Sequence, residues 1–268
     1  MQFFIVPLIL FASIGLLQPQ GFTEPPKTSP SSTITETPET LLTKSVLAIG
    51  GNRALGEITS FQLHGLIRLA DERPVVEIDL STSGGGKVLG ILTFVGVGQS
   101  RFGSDGTTAW EQNFTTDQTL TWNVLAQNAL TQKVRQINWL EWFTMLPAKI
   151  TGMEILGEEE FDGEPCWKVL ITDDDSQDET AFFSKETFRP RGRRAIEKTP
   201  NGNVTINVYF REWRRVKNLL LFHSVVFDQD GSEVTFSIDR ISIDTLPDSL
   251  FTIPEQIKAL QPPELTKP

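Results

Sequence analysis

The chain of 268 residues has a single cysteine and two histidines. With Cys166 alone, no internal disulfide can form and no lipid-modified cysteine can follow the apolar run near the start. His64 and His223 fall on separate predicted strands, without a companion at metal-ligand spacing, and no HExxH, CxxC, GxSxG or P-loop pattern occurs. Each histidine is therefore expected to be structural, with no metal, no cofactor and no catalytic residue, and the chain reads as a non-enzyme. Basic charge is outweighed: the net charge of −10 disfavours nucleic acid or an anionic membrane surface as a partner. A long apolar run is also missing. The segment Phe3 to Leu17 is broken by Pro7 and spans only about 22 Å as a helix, short of the roughly 30 Å of a membrane core. It reads as the core of a signal peptide or N-terminal anchor over residues 1–21, although no Lys or Arg precedes it and no clean cleavage site follows. The expected location is periplasmic or secreted, and scarce thiols fit an oxidising compartment.

What is present is alternation. Residues 22–40 are rich in Thr, Ser, Pro and Glu, too poor in apolar side chains to offset the entropy of ordering, and read as a disordered linker. Leu41 to Arg53 has a helical period, with Thr40 as a possible N-cap and Gly50-Gly51 to loosen or end it. Strand signals then run from Ile58 to Leu69 and from Val75 to Leu80, followed by Val88 to Val97, which is apolar on both faces and expected to be covered on both. Gly103 to Gly106 reads as a turn before a short strand carrying Trp110.

From Trp122 to Leu146 apolar residues recur at three- and four-residue steps, which predicts one or two amphipathic helices inserted into the sheet and stopped by Pro147. Strands resume at Gly152 to Phe161, Cys166 to Thr172, Ala181 to Ser184, Pro190 to Lys198, Val204 to Arg214, Leu219 to Phe227 and Val234 to Ile243. Asp162-Gly163, Asn201-Gly202 and Asp230-Gly231 supply hairpin turns, and an apolar phase slip predicts a bulge near Asp239-Arg240. About ten hairpin-connected strands cannot stay flat, so the expected fold is mainly β (α+β): a curled antiparallel half-barrel with an N-terminal helix and an inserted helical lid. It occupies residues 41–256, and residues 257–268 form a polar tail.

The remaining clusters have plain readings. Asp173 to Glu179 lacks the glycine and terminal glutamate of an EF-hand loop and reads as a solvated hairpin loop, as does Glu158-Glu159-Glu160 beside its turn. Alternation places Arg189, Arg191 and Arg193 together on an outward strand face, and Cys166 reads as a small buried hydrophobe. The residues expected to enclose an apolar cavity are Leu92, Phe94, Trp167, Val169, Ile206, Val208, Phe210, Phe236 and Ile238 on the sheet, with Leu125, Leu130, Trp139 and Trp142 above them on the lid. Burial of a methylene contributes about 0.8 kcal/mol, so ten methylenes of an acyl chain would contribute about 8 kcal/mol before ordering costs.

Several stretches carry a family resemblance in their order and spacing: Leu47 to Gly51, Ile58-Thr59-Ser60, His64-Gly65, Asp105 to Trp110, Gly157 to Trp167, Tyr209 to Trp213, and Ile243 through Phe251. Together they resemble the LolA/LolB-like lipoprotein carrier superfamily, in particular its outer membrane lipoprotein-sorting branch. The resemblance implies a half-open barrel around a first helix and a lid over a cavity that accepts acyl chains. The expected partners are then a lipid or acylated protein and a membrane-associated donor or acceptor, with the chain a monomer. The alternative is a periplasmic interaction or sensor protein whose core is filled by its own side chains.

Overall fold

A computed structural model describes residues 36–71, 73–114, 119–125, 150–173, 178–199, 202–243 and 245–260. The first element, α1 (Pro38–Ala48), starts earlier than the apolar period suggests. Its N-cap is Thr37, whose Oγ1 accepts from the Thr40 N–H at 3.3 Å, and Pro38 occupies the first turn, where a missing N–H costs nothing. The helix ends at Ala48 with Ile49 as its C-cap, as the glycine pair suggests, and a separate short helix, α2 (Gly51–Gly56), starts after Gly50.

The sheet begins with β1 (Ser60–Leu69), β2 (Pro74–Ser83), β3 (Lys87–Phe94), β4 (Gly98–Asp105), β5 (Ala109–Phe114) and β6 (Leu120–Leu125). After residue 149 come β7 (Ile150–Phe161), β8 (Glu164–Asp173), β9 (Asp178–Ser184), β10 (Pro190–Thr199) and β11 (Gly202–Arg211). A short hairpin, β12 (Arg214–Val216) and β13 (Leu219–Leu221), leaves the sheet before β14 (Ser224–Gln229) and β15 (Ser232–Ser242) return to it. A 3-10 turn (Asp248–Phe251) and α3 (Glu255–Lys258) follow. No helix among the described residues is long and apolar enough to cross a membrane.

Among the described residues, thirteen strands form one antiparallel sheet in the order β6-β5-β4-β3-β2-β1-β15-β14-β11-β10-β9-β8-β7. It does not close. Its edges are β6 and β7, neighbours in sequence but at opposite ends of the sheet, and natural twist curls so many strands into a half-barrel. The connection between the edges, residues 126–149, carries Leu130, Trp139 and Trp142 and lies outside the described residues, as do residues 1–35.

Three sequence expectations change. The Gly103 to Gly106 "turn" is mostly the end of β4, a strand that the sequence does not announce. Trp122 and Leu125 belong to β6 and not to a helix, since a six-residue segment is too short for its period to be decisive. Val95 and Val97, expected to be covered, stand at the tip between β3 and β4 and are 59% and 62% exposed. The predicted bulge is present: His64 pairs with Arg240 and Gly65 with Ile238, which leaves Asp239 as the extra residue.

Between β13 and β14 the backbone of Phe222-His223 is held by β11 and β15. The His223 N–H donates to the carbonyls of Arg211 and Glu212, and its own carbonyl accepts from Ile238 N at 2.7 Å. The ring is buried, and Nδ1–H donates to the Leu221 carbonyl at 3.1 Å. Burial pushes the His223 pKa below its ordinary value; nearby Arg214 acts the same way, while the Leu221 carbonyl and Glu212 oppose them. A depressed folded-state pKa means that the unfolded chain binds the extra proton first. Stability from this group is therefore present above about pH 6.5 and declines as pH falls toward the folded value. The expected result is a smaller loss of Tm between pH 7.5 and 5.5 in His223→Gln than in the wild type; equal losses would remove His223 from the account.

Candidate functional site

Strand register sorts the side chains into two faces without reference to exposure. On one face the paired residues run Leu92–Ile78–Gly65–Ile238 and, one pleat along, Phe94–Val76–Ile67–Phe236–Val225–Phe210. Farther across the same face come Phe227–Val208–Arg193–Ala181–Val169–Ile155. Apart from Gly65 and Arg193 these positions are apolar, and those of the cavity prediction fall into a single hydrophobic cluster. Leu92, Trp167, Val169, Ile206, Val208, Phe210, Phe236 and Ile238 are buried, and Phe94 packs against them half-buried. Leu125 reaches this face as well, through the register Val88–Ser104–Ala109–Leu125, but from a strand and not from a lid.

Helices α1 and α2 lie against this face: Leu41 is part of the cluster, and Ala54 and Leu55 pack on it. The Leu220 N–H donates to the Ile49 carbonyl at 2.9 Å and fixes the end of α1 to the β12–β13 hairpin. Phe222 stacks on Phe210 with ring centres 4.3 Å apart, and Trp213 meets its edge at 5.6 Å.

Two polar features on this face were not legible in the sequence. Arg193, expected on an outward face, is buried among the cluster. The reason is a register break between Pro190 and Gly192, which leaves Arg191 unpaired and reverses the phase of the residues after it. Its Nη1 donates to both carboxylate oxygens of Glu179 at 3.0 Å, and its guanidinium lies 5.9 Å from the centre of the Phe210 ring. Glu179 thus belongs to β9 and not to a solvated loop. The second feature is Trp167: its Nε1–H is buried with no acceptor among the described residues, while Lys185 Nζ sits 4.8 Å from its ring centre.

The opposite face has its own small core. Phe161 stacks on Phe182 at 3.8 Å, close to Tyr209, and Cys166 is buried among them. Burial first, then the charge of Glu164, pushes the Cys166 thiol up to about 12, so it is a packed hydrophobe and not a nucleophile. Trp122 packs at 5.6 Å from Trp110, on the face opposite Leu92, and so takes no part in covering the apolar cluster. Glu158 and Glu159 of the acidic triplet are ion-paired on β7, to Lys185 and to Lys168 and Arg194 respectively.

No family model matches this sequence, and no curated protein matches it. Solved structures do. A LolA superfamily protein from Nitrosomonas europaea superposes with a TM-score of 0.54 at 15% identity, covering 82% of this chain and 99% of the other. A DUF1329 family protein from Desulfovibrio piger superposes with a TM-score of 0.51 at 11% identity, covering 83% and 98% respectively. An open antiparallel sheet curled around a first helix, matched over nearly the full length of these structures, gives this chain a LolA-like fold.

Proposed function

We propose that this protein is an exported, non-enzymatic carrier or binder of lipid or lipoprotein acyl chains, held against the apolar face of the half-barrel. The observation that carries the proposal is the apolar face that strand register builds from Leu92 on β3 to Val169 on β8, interrupted along these runs by Gly65 and Arg193. An acyl chain entering there replaces contacts between side chains of the protein, and each buried methylene contributes about 0.8 kcal/mol toward that exchange. Leu130, Trp139 and Trp142 are assigned to its cover.

Trp167 gives the ligand a polar end. A buried indole N–H without an acceptor costs about 1–3 kcal/mol, and the ester or carboxyl oxygen of an acyl ligand would accept from it. The exported location follows from the apolar segment at residues 3–17, and a membrane-associated donor or acceptor would supply or remove the ligand. The second reading, an interaction or sensor protein with a self-filled core, is favoured by one specific fact: Val169 and Phe210 are fully buried as the chain stands.

Native mass spectrometry of the protein after gentle extraction separates the two. The carrier reading expects adducts of lipid mass that organic solvent removes and added fatty acid restores, with weaker restoration in Trp167→Phe. A clean polypeptide mass with no uptake of fatty acid supports the interaction module and removes the carrier.

A further inference from the structure

On the solvent side of the sheet, away from the apolar cluster, the pairing of β1 with β2 brings His64 beside two carboxylates of the next strand. His64 and Asp79 are register partners, and Glu77 is one pleat away on the same strand face as Asp79. His64 Nδ1 lies 2.9 Å from Asp79 Oδ1 and 3.9 Å from Glu77 Oε1, and one donor atom from each residue falls within 4.8 Å of the others. We propose that His64, Glu77 and Asp79 form a surface site for a divalent transition-metal cation of the Zn2+ class, with water completing the coordination.

Three observations carry this. Ligands at about 2.1 Å from a tetrahedral Zn2+ are about 3.4 Å apart, and the two distances from His64 bracket that value. The chemistry of the set, one imidazole and two carboxylates, suits Zn2+ and its neighbours in the first transition row better than Ca2+ or Mg2+, which favour all-oxygen shells. The charge is also unmet: among the described residues neither Glu77 nor Asp79 pairs with a lysine or arginine, so His64 faces two carboxylates alone.

The side chains are accessible without being loose, at 25% exposure for His64, 44% for Glu77 and 47% for Asp79, so a hydrated ion can reach them and rigid strands fix their Cα positions. Arg240, the partner of His64 on β15, and Arg68, four residues along β1, are cations on the same face. The overall negative charge of the chain attracts cations to its surface in general.

The test is a calorimetric titration of Zn2+ into the chelator-treated full chain, with Co2+ absorption as a second readout of coordination. The expected result is saturable binding of one Zn2+ per chain. His64→Asn and Asp79→Asn should each weaken it at least about tenfold, the loss that even an outer-shell contact typically causes. Circular dichroism shows whether each variant keeps the wild-type fold. Asp230→Asn, a substitution at a distant turn, should leave the affinity unchanged. The proposal is overturned if the wild type shows no saturable Zn2+ binding, or if a folded His64→Asn binds Zn2+ as tightly as the wild type.

Discussion

Gly192→Ala is expected to destabilise the protein by about 3–5 kcal/mol, the sum of backbone strain and overpacking at one position. Gly192 has φ of 151°, a conformation that L side chains rarely adopt, and it follows the register break in β10. An added Cβ would run into the Val208 carbonyl of β11 and approach within 2.8 Å of the Phe161 ring, which covers the glycine from the opposite face. Neither neighbour can yield easily: the carbonyl belongs to a central strand, and Phe161 is stacked on Phe182. The same glycine permits the phase reversal that turns Arg193 inward, so the substitution also strains the pair with Glu179. For a domain of this size the loss corresponds to a fall in Tm of about 10 °C. Gly84→Ala is the matched control, because a Cβ there meets nothing within 4 Å. Urea denaturation of both variants decides the point, and a Gly192→Ala chain as stable as Gly84→Ala would show that β10 can be repacked freely.

A second large loss is expected at Asp162. Its backbone sits at φ 51° in the two-residue turn with Gly163 that joins β7 to β8. Its carboxylate, only 11% exposed, accepts from Arg191 Nη2 at 2.9 Å and from Arg211 Nη2 at 2.7 Å and Nε at 3.2 Å. One side chain thus ties the β7–β8 hairpin to β10 and β11. Asp162→Ala leaves two guanidinium groups without this partner. Arg191 is 14% exposed and cannot reach water well, whereas Arg211, at 39%, can partly recover its solvation. Removing one partner of a buried pair costs about 3–5 kcal/mol, and the exposure of Arg211 reduces the expectation to about 2–4 kcal/mol. Asp162→Asn keeps the turn conformation and a hydrogen-bond acceptor and should lose clearly less. If Asp162→Ala unfolds within about 1 kcal/mol of the wild type, the pair is no more than a surface ion pair.

How far the sequence speaks for this fold depends on whether the signal is local. The Asp162-Gly163 and Asp230-Gly231 turns were legible because their chemistry lies in two adjacent residues, and both pairs show the expected positive φ angles. The Asp239 bulge was legible because it shifts the apolar phase of its own strand. Strand β4 was not, because it has little apolar alternation of its own: its single large apolar side chain, Phe102, lies over Gly90 of β3, and the Trp110 ring of β5 lies over Gly103. Gly103, which reads as a turn signal, is in fact space for a ring across the ladder.

The candidate site divides in the same way. Sheet residues such as Val169, Ile206 and Phe236 have faces legible from alternation, because the stretch around each pairs in regular register. Arg193 was misread because a register break, settled by pairing with β9, intervenes. Leu125, expected on a lid helix, lies on β6 instead. His64, Glu77 and Asp79 are not legible as a cluster, because it exists only through the pairing of β1 with β2.

The central claim, that the apolar face holds an acyl chain, is tested most directly by diffraction from crystals of the full chain grown with a fatty acid brominated along its tail. The account predicts anomalous bromine density against Leu92, Phe236 and Val208, with the carboxyl group near Trp167 Nε1. Density confined to the outer surface, with side chains of the protein filling that face, would contradict it.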